Sequence, residues 1–227
     1  MIDSDNDNIQ DFYFCIAKNK DGTLGSLYKM SCDGVLTLEV DGMNLDSYYT
    51  SNGSYCVRNG FVYYTDKDND LMCKKLGEET TDLITTDVTE LYVSANAQYV
   101  YIVKSGSLYY YDTTDKTHKL NLITSNFTED NEVYLTDSDK MIFYITDMKE
   151  IKDSYRTKGV AYQYSIGEKT KKITDNIIYV TSADTDYISS ESPLLIKYVS
   201  NKDYDYIVNY GTISEGNYKE LITNIEY

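Results

Sequence analysis

From Gln98 to Asp115 the chain reads QYVYIVKSGSLYYYDTTD, with Tyr99, Tyr101 and Val103 alternating with Val100, Ile102 and Lys104. A Lys-Ser-Gly-Ser turn, the run Leu108–Tyr111 and a polar Asp-Thr-Thr-Asp turn follow. Two-residue alternation of β-branched and aromatic residues, punctuated by Gly, Ser and Asp, predicts a β-hairpin. The same unit recurs as Asp11–Lys18 with Ser26–Cys32, Phe61–Asp66 with Leu71–Leu76, Met141–Asp147 with Val160–Ile166, and Leu194–Ser200 with Asp205–Tyr210. The spacing is about 40 residues, which is the period expected of propeller blades.

A third, weaker strand follows each hairpin, at Thr37–Val40, Thr81–Thr86, Lys119–Thr124, Lys171–Asp175 and Lys219–Asn224. Several share Lys or Thr, a Leu/Ile pair, then Thr with Asp or Asn, as in KLNLITSN, KKITDN and KELITN. Polar residues of this kind blunt an outer edge. A fourth strand then precedes the next hairpin, at Asp46–Thr50, Glu90–Ala95, Glu132–Thr136 and Ile177–Ser182. The expected fold is all-β: a propeller of about five four-stranded antiparallel blades, since radial stacking buries both faces of each sheet. The first blade lacks an inner strand, because nothing before Asp11 reads as one. Either the ring is complete and irregular, or the missing strand lies upstream. Met148–Arg156 reads as an inserted loop. Residues 1–10 are expected to form an acidic leader, and 11–227 a single propeller domain. The stretch MIDSDNDN reads as a solvated leader, or as a junction with a longer gene, in which case an export signal or anchor upstream would not be visible here.

Composition narrows the partners. The 227 residues include 26 Tyr, 5 Phe and no Trp, and the formal net charge is −16. Tyrosine suits strands with one face packed and the hydroxyl reaching water or a backbone partner. A field this acidic repels a phosphate backbone, and arginine stands only at Arg58 and Arg156, so nucleic acid is excluded as a partner. No apolar run reaches the roughly 18–20 residues of a bilayer span, so no membrane insertion is expected within this chain. Cys15, Cys32, Cys56 and Cys73 form no CxxC pair and read as buried free thiols. If they were disulfides, three pairings would stand open.

The sentences NGFVYYTDKDNDLMCKKLG and GSLYKMSCDG resemble the tyrosine-rich, low-density-lipoprotein-receptor-like β-propeller domains of exported Gram-positive proteins. That resemblance spans essentially the whole chain. It implies an extracellular or cell-surface location and supplies no catalytic motif.

The residues themselves offer little chemistry. His118 is the single histidine, too few for a usual zinc site, and no GxSxG elbow accompanies it. It reads as an exposed edge residue. Asp66, Asp68 and Asp70 have the alternate spacing that opens a calcium loop, but Leu71 stands where that loop needs glycine. A hairpin turn is the better reading, and Asp3, Asp5 and Asp7 are weaker still. Asn52 and Asn126 lie in N-x-[ST] settings that read as coincidence. No cofactor is expected.

The favoured function is a non-enzymatic extracytoplasmic binding module for a protein or cell-wall glycan. Its contact surface would combine the inner-to-second-strand loops with the blade-four insertion around Ile151 and Tyr155. The alternative is a carbohydrate-active hydrolase using two channel-mouth carboxylates from among Asp46, Glu90, Glu132, Asp137, Asp184 and Asp186. A purely structural or sensory module of a larger protein is a third reading.

Overall fold

The computed structural model describes residues 12–45, 55–128, 130–151, 157–181, 187–188, 190, 194–200, 206–212 and 218–222. They form eighteen strands and no helix: β1 (Phe12–Ala17), β2 (Leu24–Met30), β3 (Leu36–Asn44), β4 (Tyr55–Arg58), β5 (Phe61–Thr65), β6 (Leu71–Lys75), β7 (Thr81–Thr85), β8 (Val88–Val93), β9 (Tyr99–Lys104), β10 (Ser107–Asp112), β11 (Leu120–Ser125), β12 (Glu132–Leu135), β13 (Met141–Glu150), β14 (Thr157–Ser165), β15 (Lys171–Thr181), β16 (Leu194–Ser200), β17 (Tyr206–Thr212) and β18 (Tyr218–Ile222). The chain divides into two compact units, Met1–Ser125 and Asn126–Tyr227.

In the first unit, β1-β2-β3 form a three-stranded blade, and β4-β5-β6-β7 and β8-β9-β10-β11 form two four-stranded blades. Neighbouring strands within each sheet are antiparallel and consecutive in the chain. In the second unit β12 to β18 make one seven-stranded sheet. Its continuity comes from β15. The first part of that strand pairs with β14 and the second with β16, with register breaks around Ile177. Asn176 takes a left-handed φ of 57° at that point. The expected separate strands at Lys171–Asp175 and Ile177–Ser182 are therefore one strand that is outer in the fourth blade and inner in the fifth.

The same device recurs wherever the chain passes from an outer strand toward the next inner one. Gly42, Asp87 and Asn126 have φ of 75°, 55° and 62°. Gly, Asn and Asp are the residues that tolerate this conformation. The Thr-Asp and Ser-Asn endings of the outer strands thus have a backbone cause.

Two expectations are corrected. The inner strand of the second blade is β4, which pairs with β5 from Tyr55↔Tyr64 to Arg58↔Phe61; Asp46–Thr50 lies outside the described residues. Asn59 and Gly60 close this hairpin with φ of 48° and 75°, the primed-turn signature of Asn-Gly. The described start of the blade-four insertion is hairpin arm, while 152–156 lie outside the described residues: β13 and β14 continue past a bulge at Thr146/Lys149 and pair Lys149↔Lys158 and Glu150↔Thr157.

The cores lie between blades. Leu27, Val40 and Met43 of the first blade pack with Val57, Val62 and Tyr64 of the second. Tyr63, Leu71 and Ile84 of the second pack with Leu91, Val100, Ile102 and Tyr111 of the third. In the second unit Phe143, Ile145 and Ala161 pack with Ile177, Val180 and Leu195.

Candidate functional site

The loops joining inner to second strands are tied together in the first unit. Arg58, the last residue of β4, donates from Nη1 to the carbonyls of Ser94 and Ala95 at 3.1 and 3.4 Å. Asn59 donates from Nδ2 to the carbonyl of Asn96. The receiving loop is itself braced. Ser94 Oγ accepts from the Tyr99 amide at 3.0 Å, Ala97 N donates to Ser94 O at 2.9 Å, and Thr113 Oγ1 donates to Ala97 O at 3.0 Å. A guanidinium bridging two carbonyls is a charge-assisted contact, so one blade's turn fixes its neighbour's loop.

The inner strands carry a repeated Glu-x-Tyr. On β8 the Tyr92 hydroxyl donates to the Glu90 carboxylate, and on β12 the Tyr134 hydroxyl donates to Glu132. Residues two apart share a strand face, which permits the contact. Glu90 is only 5% exposed. Burial raises its carboxyl above the ordinary range, opposed by the Tyr92 hydrogen bond. Asp137, just after β12, accepts from the Ser190 amide at 2.8 Å, and Thr136 bridges Ile188 in parallel. Asp46, Asn52, Tyr155, Asp184 and Asp186 lie outside the described residues.

The expected calcium-like run is a turn held by its own backbone. Asp66 accepts from the amides of Asp68 and Asp70 at 2.9 and 3.0 Å. Asp70 accepts from the Asp87 amide at 3.3 Å, and Lys67 pairs with Asp68. Among the described residues no three His, Cys, Asp or Glu side chains converge as a metal site requires. Ile151, expected on the contact surface, is 4% exposed and packs inward. His118, expected to be exposed, is half-buried: it stands edge-on to Tyr111 with ring centres 5.6 Å apart and places Nδ1 3.1 Å from the Leu83 carbonyl. A carbonyl only accepts, so Nδ1 carries the proton. Asn126 serves as a blade crossover, and its carbonyl accepts from Asn131 Nδ2 at 3.5 Å.

All four cysteines are free thiols. Three are partly buried, as expected; Cys32 is exposed, in the turn after β2. Burial raises Cys15, Cys56 and Cys73, the last to about 11. Two thiols meet phenols. Burial, then the Cys15 hydrogen bond, pushes Tyr55 to about 12, and Tyr63 rises through burial and Cys73. Inspection of the sequence missed the Arg58 tie and the Glu-x-Tyr pairs. The signals were one of two arginines beside an Asn-Gly turn, and a Glu-x-Tyr repeated at the same place in two blades.

The fold is that of β-propellers. Solved structures similar to this chain include TolB from Acinetobacter baumannii (15% identity, TM-score 0.50, 93% of this chain and 52% of that one). The tricorn protease is another (12%, 0.56, 89% and 25%). A third is the β-propeller domain of the trilobed protease from Pyrococcus furiosus, described as having an open velcro topology (11%, 0.54, 95% and 66%). The chain thus spans about half of the TolB structure and a quarter of the tricorn protease. At these identities the likeness extends to the fold alone. No family model matches the chain, and no curated protein matches it. No helix among the described residues is long and apolar enough to cross a membrane.

Proposed function

We propose that this chain is a non-enzymatic binding module that works outside the cytoplasm and takes a protein or cell-wall glycan at the loops between inner and second strands. The observation that carries this reading is the tie from Arg58 and Asn59 to the Ser94–Asn96 loop. Loops held in place before a ligand arrives lose less freedom on binding. The tyrosine-rich repeats support placing the chain with the low-density-lipoprotein-receptor-like propellers of exported Gram-positive proteins. The test is a glycan array and a cell-envelope pull-down, run with the wild type and with Arg58→Ala. Capture by the wild type that weakens in the variant supports the reading; no capture by the wild type on either platform overturns it.

A second reading, a carbohydrate-active hydrolase, draws support from Glu90, whose burial shifts its carboxyl in the direction a general acid needs. Release of reducing sugar from envelope glycans that disappears in Glu90→Gln would favour it over binding alone.

A further inference from the structure

Two Asn-Gly steps occur in the chain, Asn52-Gly53 and Asn59-Gly60. Glycine carries no side chain to shield its amide nitrogen, so this dipeptide favours attack of that nitrogen on the asparagine amide carbon. The first step lies outside the described residues. The second is the whole turn between β4 and β5. Asn59 is exposed there, and both residues hold left-handed φ angles, 48° and 75°. The Gly60 amide donates to no group among the described residues, so the nucleophile is free. The carbon it would attack is restrained. Asn59 Nδ2 donates to the Asn96 carbonyl, on the same loop that Arg58 holds through Ser94 and Ala95.

We propose that Asn59 is a site of self-modification by deamidation, slowed by the tie between the second and third blades and, once complete, opening that tie. The Gly60 nitrogen bonds to Asn59 Cγ, the Cγ–Nδ2 bond breaks, and ammonia leaves with the proton that Gly60 gives up. Water then adds to either carbonyl of the cyclic imide and breaks one of its two C–N bonds. The product is an aspartyl or an isoaspartyl residue. Bringing Cγ over the Gly60 nitrogen turns the side chain away from Asn96, so bonded and reactive geometries exclude each other. Both products exchange a donor for a carboxylate that only accepts, and it faces the Asn96 carbonyl. The new carboxylate also competes for the adjacent Arg58 guanidinium, which then leaves the Ser94 and Ala95 carbonyls. The isoaspartyl form lengthens the main chain inside a two-residue primed turn, whose geometry has no place for it. The loop from Ser94 to Gln98 is thereby released from the second blade, whatever that loop binds.

The test incubates folded wild type, wild type unfolded in urea, and Arg58→Ala in mildly alkaline buffer. Peptide mapping by mass spectrometry then separates the amide, aspartyl and isoaspartyl forms at both Asn-Gly steps. Far-ultraviolet circular dichroism checks that the variant folds. Asn59 should convert in the folded wild type, more slowly than in urea. Arg58→Ala should raise the folded rate about two- to tenfold, the factor that one surface hydrogen bond carries, and leave Asn52 unchanged. Hydrogen exchange supplies a second readout on wild type alone. The Ala97 and Tyr99 amides, which donate to Ser94 O and Oγ at 2.9 and 3.0 Å, should exchange faster in aged protein than in fresh. These wild-type comparisons decide the matter even where the variant does not fold. No product at Asn59 in folded wild type overturns the proposal. So does a rate unaltered by folding or by Arg58→Ala, an equal acceleration at Asn52, or unaltered exchange in the aged protein.

Discussion

The two leucines at 27 and 38 sit in the same small sheet and differ in which face they occupy. Leu27 is fully buried between the first and second blades, whereas Leu38 is 49% exposed on the other side. Leu27→Ala removes a side chain whose surroundings belong to two sheets, and neither can collapse into the gap without moving the other. The cost is about 3–5 kcal/mol, the range for core leucines that leave a cavity. For a chain of this size each kcal/mol shifts the melting temperature by about 2–4 °C, so the expected drop is on the order of 10 °C. Leu38→Ala loses only partial burial and leaves no cavity, so its cost stays below about 1 kcal/mol. The assay is scanning calorimetry of wild type and both variants in the same buffer. Equal losses from the two substitutions would refute the assignment of faces.

Other outcomes follow from the same geometry. Asn176 holds a left-handed φ in the middle of β15. Asn176→Gly should be nearly neutral in calorimetry and Asn176→Val should cost about 1–2 kcal/mol; equal effects would remove the crossover argument. Burial raises the Glu90 carboxyl in the folded state, so the folded protein holds that proton to higher pH than the unfolded chain does. The penalty for ionising it is absent below the ordinary glutamate value and grows as pH rises to the folded one. Glu90→Gln should therefore be more stable than wild type at neutral pH and no more stable near pH 4, measured as melting temperature across pH. A gain of equal size at both pH values would sink this account. Of the four thiols, exposed Cys32 should react quickly with a disulfide reagent at neutral pH. The other three should wait for denaturant, because burial both shields them and keeps them protonated; a fast phase that persists in Cys32→Ser contradicts it.

The hairpins were legible in the sequence because their signal is local. Alternation in YVYIVK and SLYYYD sets the pairing of β9 with β10, and the Ser-Gly between them takes the two positive φ angles a tight primed turn needs. The strands misplaced in the sequence reading depend on what is not local. β4 is only four residues long and shows no clear alternation, whereas the adjacent tyrosines of Asp46–Thr50 read as strand. The merging of two predicted strands into β15 follows from one left-handed Asn, which leaves no mark on hydrophobic periodicity. The candidate site was less legible still. Arg58, Ser94 and Asn96 are brought together by the packing of two blades. Ile151 lay in what read as a loop, yet its side chain packs inward, and spacing along the chain gives no sign of that.

The tyrosine content acquires a structural reason from these contacts. Aliphatic rows such as Leu27 with Val62, or Leu71 with Ile102, hold blades together without direction, since dispersion and burial tolerate small slides. A phenol adds direction at its tip. Tyr55, on the second blade, reaches Cys15 on the first, and Tyr63 on the second reaches Thr113 after the third blade's β10. Each ring packs in the core between sheets while its hydroxyl reaches a group beyond its own sheet, Tyr63 meeting Cys73 of its own blade as well. Phenylalanine would supply the same burial with no choice of register, and tryptophan would need more room than the gap between adjacent sheets of about 10 Å readily gives. A repeat that must stack sheets at one defined angle gains from a residue that both packs and directs. The Arg58 tie at the loop end and the phenols within the core then act on one requirement, a fixed rotation of each blade against the next.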